Sequence, residues 1–314
     1  NLKAIKRMYI GLGNRTSPKA GGTGTIFIDD IRVYPARCVP SMARMAADLS
    51  GNCIVDSADV EILANLWLDS GLQITPVDPG TTGLIAQYPF NGNANDVVGG
   101  HNGTVSGAPT YTTGKIGQAI LLNGVDQMVD VGGVGISGAA PRTIAGWAKA
   151  NALVEALPNW INIFGFTGPA GNNGHFDIEV VAALGVRGYG IHVYGWERRI
   201  MPIDFEWHHL AASYDGTTIR WYGDGRLIGS DSSRVLTTPD NVHMGKRDDN
   251  TNYWPGCVDE VRIYNKVLSD AQIGWLAGYT SPFSIPADLH QDGSIDFKDF
   301  AVLADSWLEE LLRP

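Results

Sequence analysis

Residues 212–229 read ASYDGTTIRWYGDGRLIG, and this stretch decides the fold class. Two Asp-Gly pairs, at 215–216 and 224–225, lie between runs in which apolar and polar residues alternate. Asp-Gly flanked by such runs is a strong short-range signal for a β-hairpin, because glycine readily takes the positive φ angles of a tight turn. The stretch therefore predicts a hairpin between Tyr214 and Ile228.

Short alternating runs of the same kind recur from Gly83 to about Tyr279, with turns rich in Gly, Asn and Asp between them. They are LIAQYPF (84–90), AILLN (119–123), MVDVGG (128–133), TIAGWAKA (143–150), INIFGF (161–166), HFDIEVV (175–181), YGIHVYG (189–195), HHLAASYD (208–215) and CVDEVRIYN (257–265). Many short strands at this spacing predict a mainly β protein, an antiparallel sandwich.

Four segments carry a resemblance: LNGVDQMVDVG (122–132), TIAGWAKA (143–150), residues 207–229, and GCVDEVRIYNKVLSDAQI (256–273). In this order they resemble the signatures of a concanavalin-A-like, laminin-G-like domain. The resemblance implies a jelly roll of two stacked sheets, one of them concave, over residues 83–280. Residues 1–37 contain IDDIRVY, similar to VDEVRIY at 258–264, and are expected to be the last strands of a preceding jelly-roll-like domain, or else a separate hairpin.

Outside the sandwich, DLSGNCIVDSAD (48–59) returns 240 positions later as DLHQDGSIDFKD (288–299). Both place acids at loop positions 1, 9 and 12. Oxygen ligands at positions 1, 3, 5, 9 and 12, with a backbone carbonyl at position 7, form the shell that Ca²⁺ prefers. The candidate ligands are Asp48, Ser50, Asn52, Ile54, Asp56 and Asp59, and Asp288, His290, Asp292, Ser294, Asp296 and Asp299.

Each loop is followed by an amphipathic helix pattern, VEILANLWLDS or FAVLADSWLEE. The pair resembles the dockerin calcium repeat, with half-repeats at 38–71 and 281–314 and a linker at 72–82; the alternative is two polar turns whose acids cap helices. His290 is a poor ligand for a hard ion, while the second loop has more carboxylates and should bind more tightly. The two helices are expected to meet beside the sandwich, or else to pack separately.

Composition narrows the classes of partner. The net charge is −10, which disfavours nucleic acid and anionic membranes as partners, because both are negatively charged and bind basic surfaces. No apolar run approaches the length of a membrane span. The sequence opens at Asn1 and is expected to be part of a longer chain. Calcium loops of modest charge fit extracellular calcium levels, so we expect a secreted or cell-surface protein.

The three cysteines suggest one disulfide. Cys38 and Cys53 lie on either side of the start of the first loop, and Cys53 stands where such loops normally have glycine. A bond between them would stabilise by about 3 kcal/mol for a closure of this length. Two unrelated thiols are the alternative. Cys257 lies in an apolar strand pattern and is expected to be a buried thiol.

The strongest catalytic candidate is His175-Phe176-Asp177-Ile178-Glu179. Family 16 glycoside hydrolases, which share the fold, carry Glu-x-Asp-x-Glu on such a strand. Here His175 replaces the first Glu, so we expect Asp177 and Glu179 to be polar residues on an exposed strand face. His208 and His209 are consecutive and point to opposite faces of a strand, so they are not expected to bind one metal together.

A third calcium site is expected from the resemblance near the last long strand, with Asp259 and Asp126 as ligands; local capping or an ion pair is the alternative. For ligand binding, aromatic residues beside turns suit the apolar faces of sugars, although each could instead belong to the core. The candidates are Trp160, Tyr194, Trp196, Tyr253 and Trp254, with Tyr189 also near turns and the segment NVHMGKRDDNTN (241–252) as a polar loop at the rim.

The preferred function is a non-catalytic, calcium-stabilised extracellular module that binds carbohydrate or a cell surface. A second is assembly, in which the helices dock a cohesin-like protein or another copy of the chain. A glycoside hydrolase is the third.

Overall fold

The computed structural model describes residues 37–38, 46–50, 52–69, 73–152, 157, 159–168, 173–182, 187–247, 252–290, 292–309 and 312–313. Its helices are α1 (Ser57–Asn65), α2 (Asp270–Leu276) and α3 (Phe297–Asp305). Its strands are β1 (Arg37–Cys38), β2 (Leu84–Tyr88), β3 (Thr104–Ser106), β4 (Thr110–Thr113), β5 (Gln118–Asn123), β6 (Met128–Gly132), β7 (Arg142–Ala150), β8 (Asn162–Phe166), β9 (Phe176–Val181), β10 (Gly188–Val193), β11 (Trp196–Met201), β12 (His208–Tyr214), β13 (Ile219–Gly223), β14 (Arg226–Asp231), β15 (Val242–Met244), β16 (Pro255–Tyr264) and β17 (Leu312–Arg313). The preceding jelly-roll strands expected before residue 37 lie outside the described residues.

Two antiparallel sheets form the sandwich. The β16 sheet has the order β14-β13-β12-β7-β16-β5-β4, with β2 also paired to β16. The β9 sheet has the order β11-β10-β9-β8-β15-β6-β3. The predicted mainly β, antiparallel architecture is confirmed.

The core lies between the sheets because alternate residues of each strand are apolar. On β9, Phe176, Ile178 and Val180 are fully buried in this core, and on β10 Tyr189 and Ile191 join them. The intervening residues of both strands point to the opposite face of the β9 sheet, as the period of two requires. Tyr189, one of the aromatic candidates, is therefore a core residue.

Four strands and one helix of the sandwich were not expected from the sequence: β3, β4, β11, β15 and α2. The polar-loop prediction for 241–252 is wrong at its start, because Val242–Met244 is a strand between β8 and β6. Only three residues long, it has too short an alternation to be recognised, and its pairing partners are remote in sequence. Residues 248–251 lie outside the described part.

The hairpin of residues 212–229 forms as predicted. β12 pairs with β13, and β13 with β14. Asp224 and Gly225 both have positive φ, 46° and 81°, as a type I′ turn requires. A Cβ on Gly225 would lie 2.7 Å from Ala277 Cβ and 2.8 Å from the Tyr279 ring. Glycine at 225 thus serves both the turn and its packing.

The two loop–helix units pack against each other. Val55, Leu63, Ile295 and Leu303 are buried in one cluster that is separate from the sandwich core. Two backbone hydrogen bonds join the units reciprocally. The N–H of Leu68 donates to Ile295 O, and the N–H of Leu308 donates to Val55 O, both at 2.8 Å. Of the two arrangements that the sequence left open, the helices meet.

Among the described residues, no helix is long and apolar enough to cross a membrane.

We expect Gly225→Ala to destabilise the chain more than Gly132→Ala does. Both glycines have positive φ, but a Cβ on Gly132 meets nothing within 4 Å. Holding an alanine at positive φ costs about 1–2 kcal/mol in both variants. At position 225, the clash of the new Cβ with Ala277 and Tyr279 adds about 1–3 kcal/mol. Urea unfolding of the two variants measures the difference, and equal free energies of unfolding would contradict the packing role of Gly225.

Candidate ligand-binding groove

A row of residues, polar except for Gly165, crosses the face of the β9 sheet that points away from the core. Residues directly opposite one another in neighbouring strands share a face. Following the register from β11 to β6, the row is Glu197, His192, Asp177, Gly165, His243 and Asp130.

Five of the side chains on this face form a buried cluster. His192 Nδ1 lies 3.4 Å from Asp177 Oδ1 and 3.3 Å from Glu179 Oε2, and His175 Nδ1 lies 3.8 Å from Asp177 Oδ1. Asn162 donates from Nδ2 to Asp177 Oδ2 at 2.9 Å. The expectation of an exposed face for the two carboxylates is wrong, since Asp177 and Glu179 are only 1% and 2% exposed. The neighbouring strands β8 and β10 bring polar side chains over them.

A cavity of about 1860 Å³ lies along this face and is lined by the cluster residues. Trp160 lies at its rim and is 43% exposed; its Nε1 donates to Glu197 Oε2 at 3.1 Å. The Arg247 guanidinium lies 5.4 Å from the same ring. Tyr194, half-buried, has its ring 5.7 Å from that of His175. The result is a groove with an aromatic rim and a buried polar floor.

The other aromatic candidates are placed differently. Trp254 is fully buried and belongs to the sandwich core, so its proposed role as an exposed platform is wrong. Trp196 is 6% exposed and packs edge-on against Trp221 at 5.5 Å, so it presents little of its ring to a ligand. Tyr253 is half-buried, in a backbone bridge with Lys246. Both tryptophans were misread because nearby turn residues do not reveal which face a strand buries.

The consecutive histidines point to opposite faces of β12, as expected. His209 is 1% exposed and packs against Trp147, and its burial lowers its pKa to about 3. His208 borders the groove between Asp204 and Asp224, 3.0 Å from each. Burial alone would lower the pKa of His208, but its hydrogen bonds to the two carboxylates outweigh this and raise it to about 9.

The two acidic loops have the same pattern of hydrogen bonds. At position 1, Asp48 accepts from the N–H groups of residues 52 and 53, and Asp288 accepts from those of 292 and 293. At position 12, Asp59 accepts from the N–H groups of residues 50 and 56, and Asp299 from those of 290 and 296. These four carboxylates are at most 3% exposed.

Position 6 of the loops also agrees in conformation. Cys53 has φ 67° and Gly293 has φ 83°. Both loops therefore make the same sharp turn, although Cys53 has a Cβ that disfavours it. In the second loop, Lys298 Nζ lies 2.6 Å from Asp292 Oδ2, and its hydrogen bond lowers the pKa of that carboxyl group. In this ion pair, Lys298 would compete with a bound cation for Asp292, the carboxylate that the first loop lacks.

Asp259 and Asp126 make separate local contacts. Asp259 is fully buried, and its Oδ2 accepts from the Ile116 N–H at 2.9 Å; burial raises its pKa to about 6. Asp126 accepts from Asn123 Nδ2 within its own turn, at 2.8 Å. Their joint calcium site stays a prediction. Cys257 is free and buried. The side chain of Cys38 lies outside the described residues, so its bond to Cys53 also stays a prediction.

Comparisons with known proteins agree on the fold. The family profile described as "Concanavalin A-like lectin/glucanases superfamily" matches residues 123–274. The sandwich has the concanavalin A-like fold. None of the curated proteins matches this chain.

Three solved structures are similar to this chain. Domain 4 of AbnA, a GH43 extracellular arabinanase from Geobacillus stearothermophilus in complex with arabinotriose, is 24% identical with a TM-score of 0.50, over 62% of this chain and 98% of that one. The binding domain of Paraclostridial Mosquitocidal Protein 1 is 14% identical, with a TM-score of 0.47, over 62% of this chain and 52% of that one. Botulinum neurotoxin type C is 17% identical, with a TM-score of 0.48, over 62% and 50%. The chain spans about half of these two toxin chains.

We expect stability to fall as the pH rises from about 7 to about 9.5 because of His208. Its folded-state pKa is about 9, against 6.5 for the unfolded chain, so its contribution is complete below 6.5 and is lost as the pH passes 9. A shift of this size corresponds to on the order of 3 kcal/mol. Thermal melts of the wild type and His208→Gln across this range measure the difference, and parallel pH profiles of the two proteins would contradict it.

Proposed function

We propose that this chain is a non-catalytic carbohydrate-binding module whose ligand occupies the groove on the β9 sheet. The observation that carries this proposal is Trp160. Its ring is exposed at the rim beside a buried polar floor, and its backbone has φ 60°. Positive φ is a true outlier for a bulky residue and is often retained at a binding site.

Two contacts hold Trp160 in place. Its N–H donates to Val180 O at 2.7 Å, and its indole donates to Glu197. An indole face fixed in this way offers sugar C–H groups an apolar surface without an ordering cost on binding. Glu197, Arg198 and Arg247 line the same groove and supply hydrogen-bond groups for sugar hydroxyls.

The carboxylates favour binding over hydrolysis. Glycosidic cleavage needs two carboxyl groups on either side of the scissile bond. Asp177 and Glu179 both lie against the same imidazole nitrogen of His192. The imidazole therefore occupies the space between the two carboxylates that a scissile glycosidic bond would need. The solved arabinanase domain, with arabinotriose bound, supports a glycan ligand for this fold.

We expect the full chain to be retained on at least one member of an immobilised glycan array containing arabinan, β-glucan and galactan. Trp160→Ala should weaken this binding at least about fivefold, since stacking on an aromatic ring contributes about 1 kcal/mol or more. Tyr194→Ala should weaken it less, because that ring is half-buried.

Trp275→Ala is the matched control. Trp275 is 39% exposed on α2 and does not line the groove, so its removal should leave retention unchanged. Equal losses in the Trp160 and Trp275 variants, or reducing-end release that disappears in Glu179→Gln, would overturn the proposal.

We also propose that the two loops bind Ca²⁺ and that the protein is extracellular. Support comes from the hydrogen-bond pattern that the loops share, in which the carboxylates of positions 1 and 12 point into their own loop. The Cys38–Cys53 bond belongs to the same proposal. Leu312 of β17 pairs with Cys38 of β1, while Leu308 and Glu309 pair with Val55, two residues after Cys53.

Calorimetry of the chelator-treated full chain should show two calcium sites in the loops. Asp59→Asn and Asp299→Asn should each remove one site, because each takes a carboxylate from position 12. Glu61→Gln changes an exposed acid of α1 outside the ligand positions and should leave both sites. A melting temperature indifferent to chelator, or an unchanged site number in both variants, would contradict the calcium proposal.

Assembly is the second candidate function, because the helix pair exposes apolar side chains. Phe297 is 77% exposed, Trp307 45% and Phe300 40%. Large exposed apolar side chains of this kind suit a protein-binding surface. Sedimentation of the same protein distinguishes the functions: calcium-dependent self-association without glycan retention would favour assembly.

A further inference from the structure

We propose that His175, Asp177 and His192 bind a divalent transition metal ion of the zinc type in the floor of the groove. This is a site distinct from the two acidic loops in both position and chemistry, and it does not depend on the glycan proposal. The three residues come from two adjacent strands, β9 and β10, and from the residue immediately before β9.

The spacing of the ligand atoms fits one ion. One ligand atom from each of the three side chains lies within 4.8 Å of the other two. Asp177 Oδ1 is 3.4 Å from His192 Nδ1 and 3.8 Å from His175 Nδ1. Ligand atoms about 2.0–2.1 Å from zinc at tetrahedral angles lie about 3.4 Å from one another. An ion could therefore enter between these atoms with only small side-chain movements.

The backbone holds the ligands in register. His192 is directly opposite Asp177 in the antiparallel ladder, and His175 is two residues before Asp177 on the same face. Asn162, 1% exposed on β8, donates to the other carboxylate oxygen of Asp177 and fixes the direction of Oδ1. A second residue that orients a ligand in this way is typical of built metal sites.

The donor set indicates the type of metal. Two imidazoles and one carboxylate suit Zn²⁺ and its neighbours in the transition series, whereas Ca²⁺ prefers oxygen ligands alone. All three side chains are buried but line the groove. The groove gives the ion an entry path, and a fourth coordination position would be open on that side.

Isothermal titration of the calcium-saturated full chain with Zn²⁺ tests the proposal. Excess calcium is present as a competitor for the acidic loops, and the comparison with Asp177→Asn separates the groove site from any zinc bound there. The wild type should take up one equivalent more than Asp177→Asn, a nearly isosteric change, and more than His192→Ala. Asn162→Ala should retain the site with about 10–100-fold weaker affinity, as expected when an orienting residue is lost.

His243→Ala is the matched control, because His243 lies in the same row but is separated from Asp177 by Gly165. It should bind the same number of zinc ions as the wild type. Co²⁺ added to the wild type should give the visible absorption of a low-coordinate ion with nitrogen ligands, a readout that requires no variant. Equal zinc stoichiometry in the wild type and Asp177→Asn, with both folded by circular dichroism, would overturn the proposal.

Discussion

The β16 sheet depends on a bulge in its central long strand. β16 pairs with β7 along one edge, while on the other edge Pro255–Val258 pair with β5 and Val261–Tyr264 pair with β2. The register shifts between residues 259 and 262, where Glu260 has φ 48°. Because side chains alternate along a strand, the inserted residue lets both Val258 and Val261 face the core. Without it, one half of β16 would turn its apolar side chains to the wrong face.

The position of the groove follows from the same alternation in the opposite sheet. Once Phe176 and Ile178 enter the core, Asp177 must face the other way. Burying a carboxylate is costly unless it has polar neighbours, and His192 and Asn162 supply them. A polar floor of this kind adds little to packing, which supports the binding site that we propose. The unfavourable φ of Trp160 supports the same proposal.

The two loop–helix units, at opposite ends of the sandwich in the chain, depend on each other for their core. Each unit alone has too small a core to be stable. Val55 and Leu63 of the first unit bury themselves against Ile295 and Leu303 of the second, with reciprocal backbone hydrogen bonds. The sandwich between them therefore has to bring both of its ends to one place.

The sequence by itself determined the class of the fold, the turns and the repeat. Alternation identified most of the longer strands, and Asp224-Gly225 identified its turn, because these signals act between near neighbours. It also identified His175, Asp177 and Glu179 as one face of a strand. It could not show that His192 lies opposite Asp177, or that Trp254 is buried while Trp160 is not. Those facts depend on strand register and on which face packs against the second sheet. Only the tertiary structure decides them, since both are set by contacts between residues far apart in the chain.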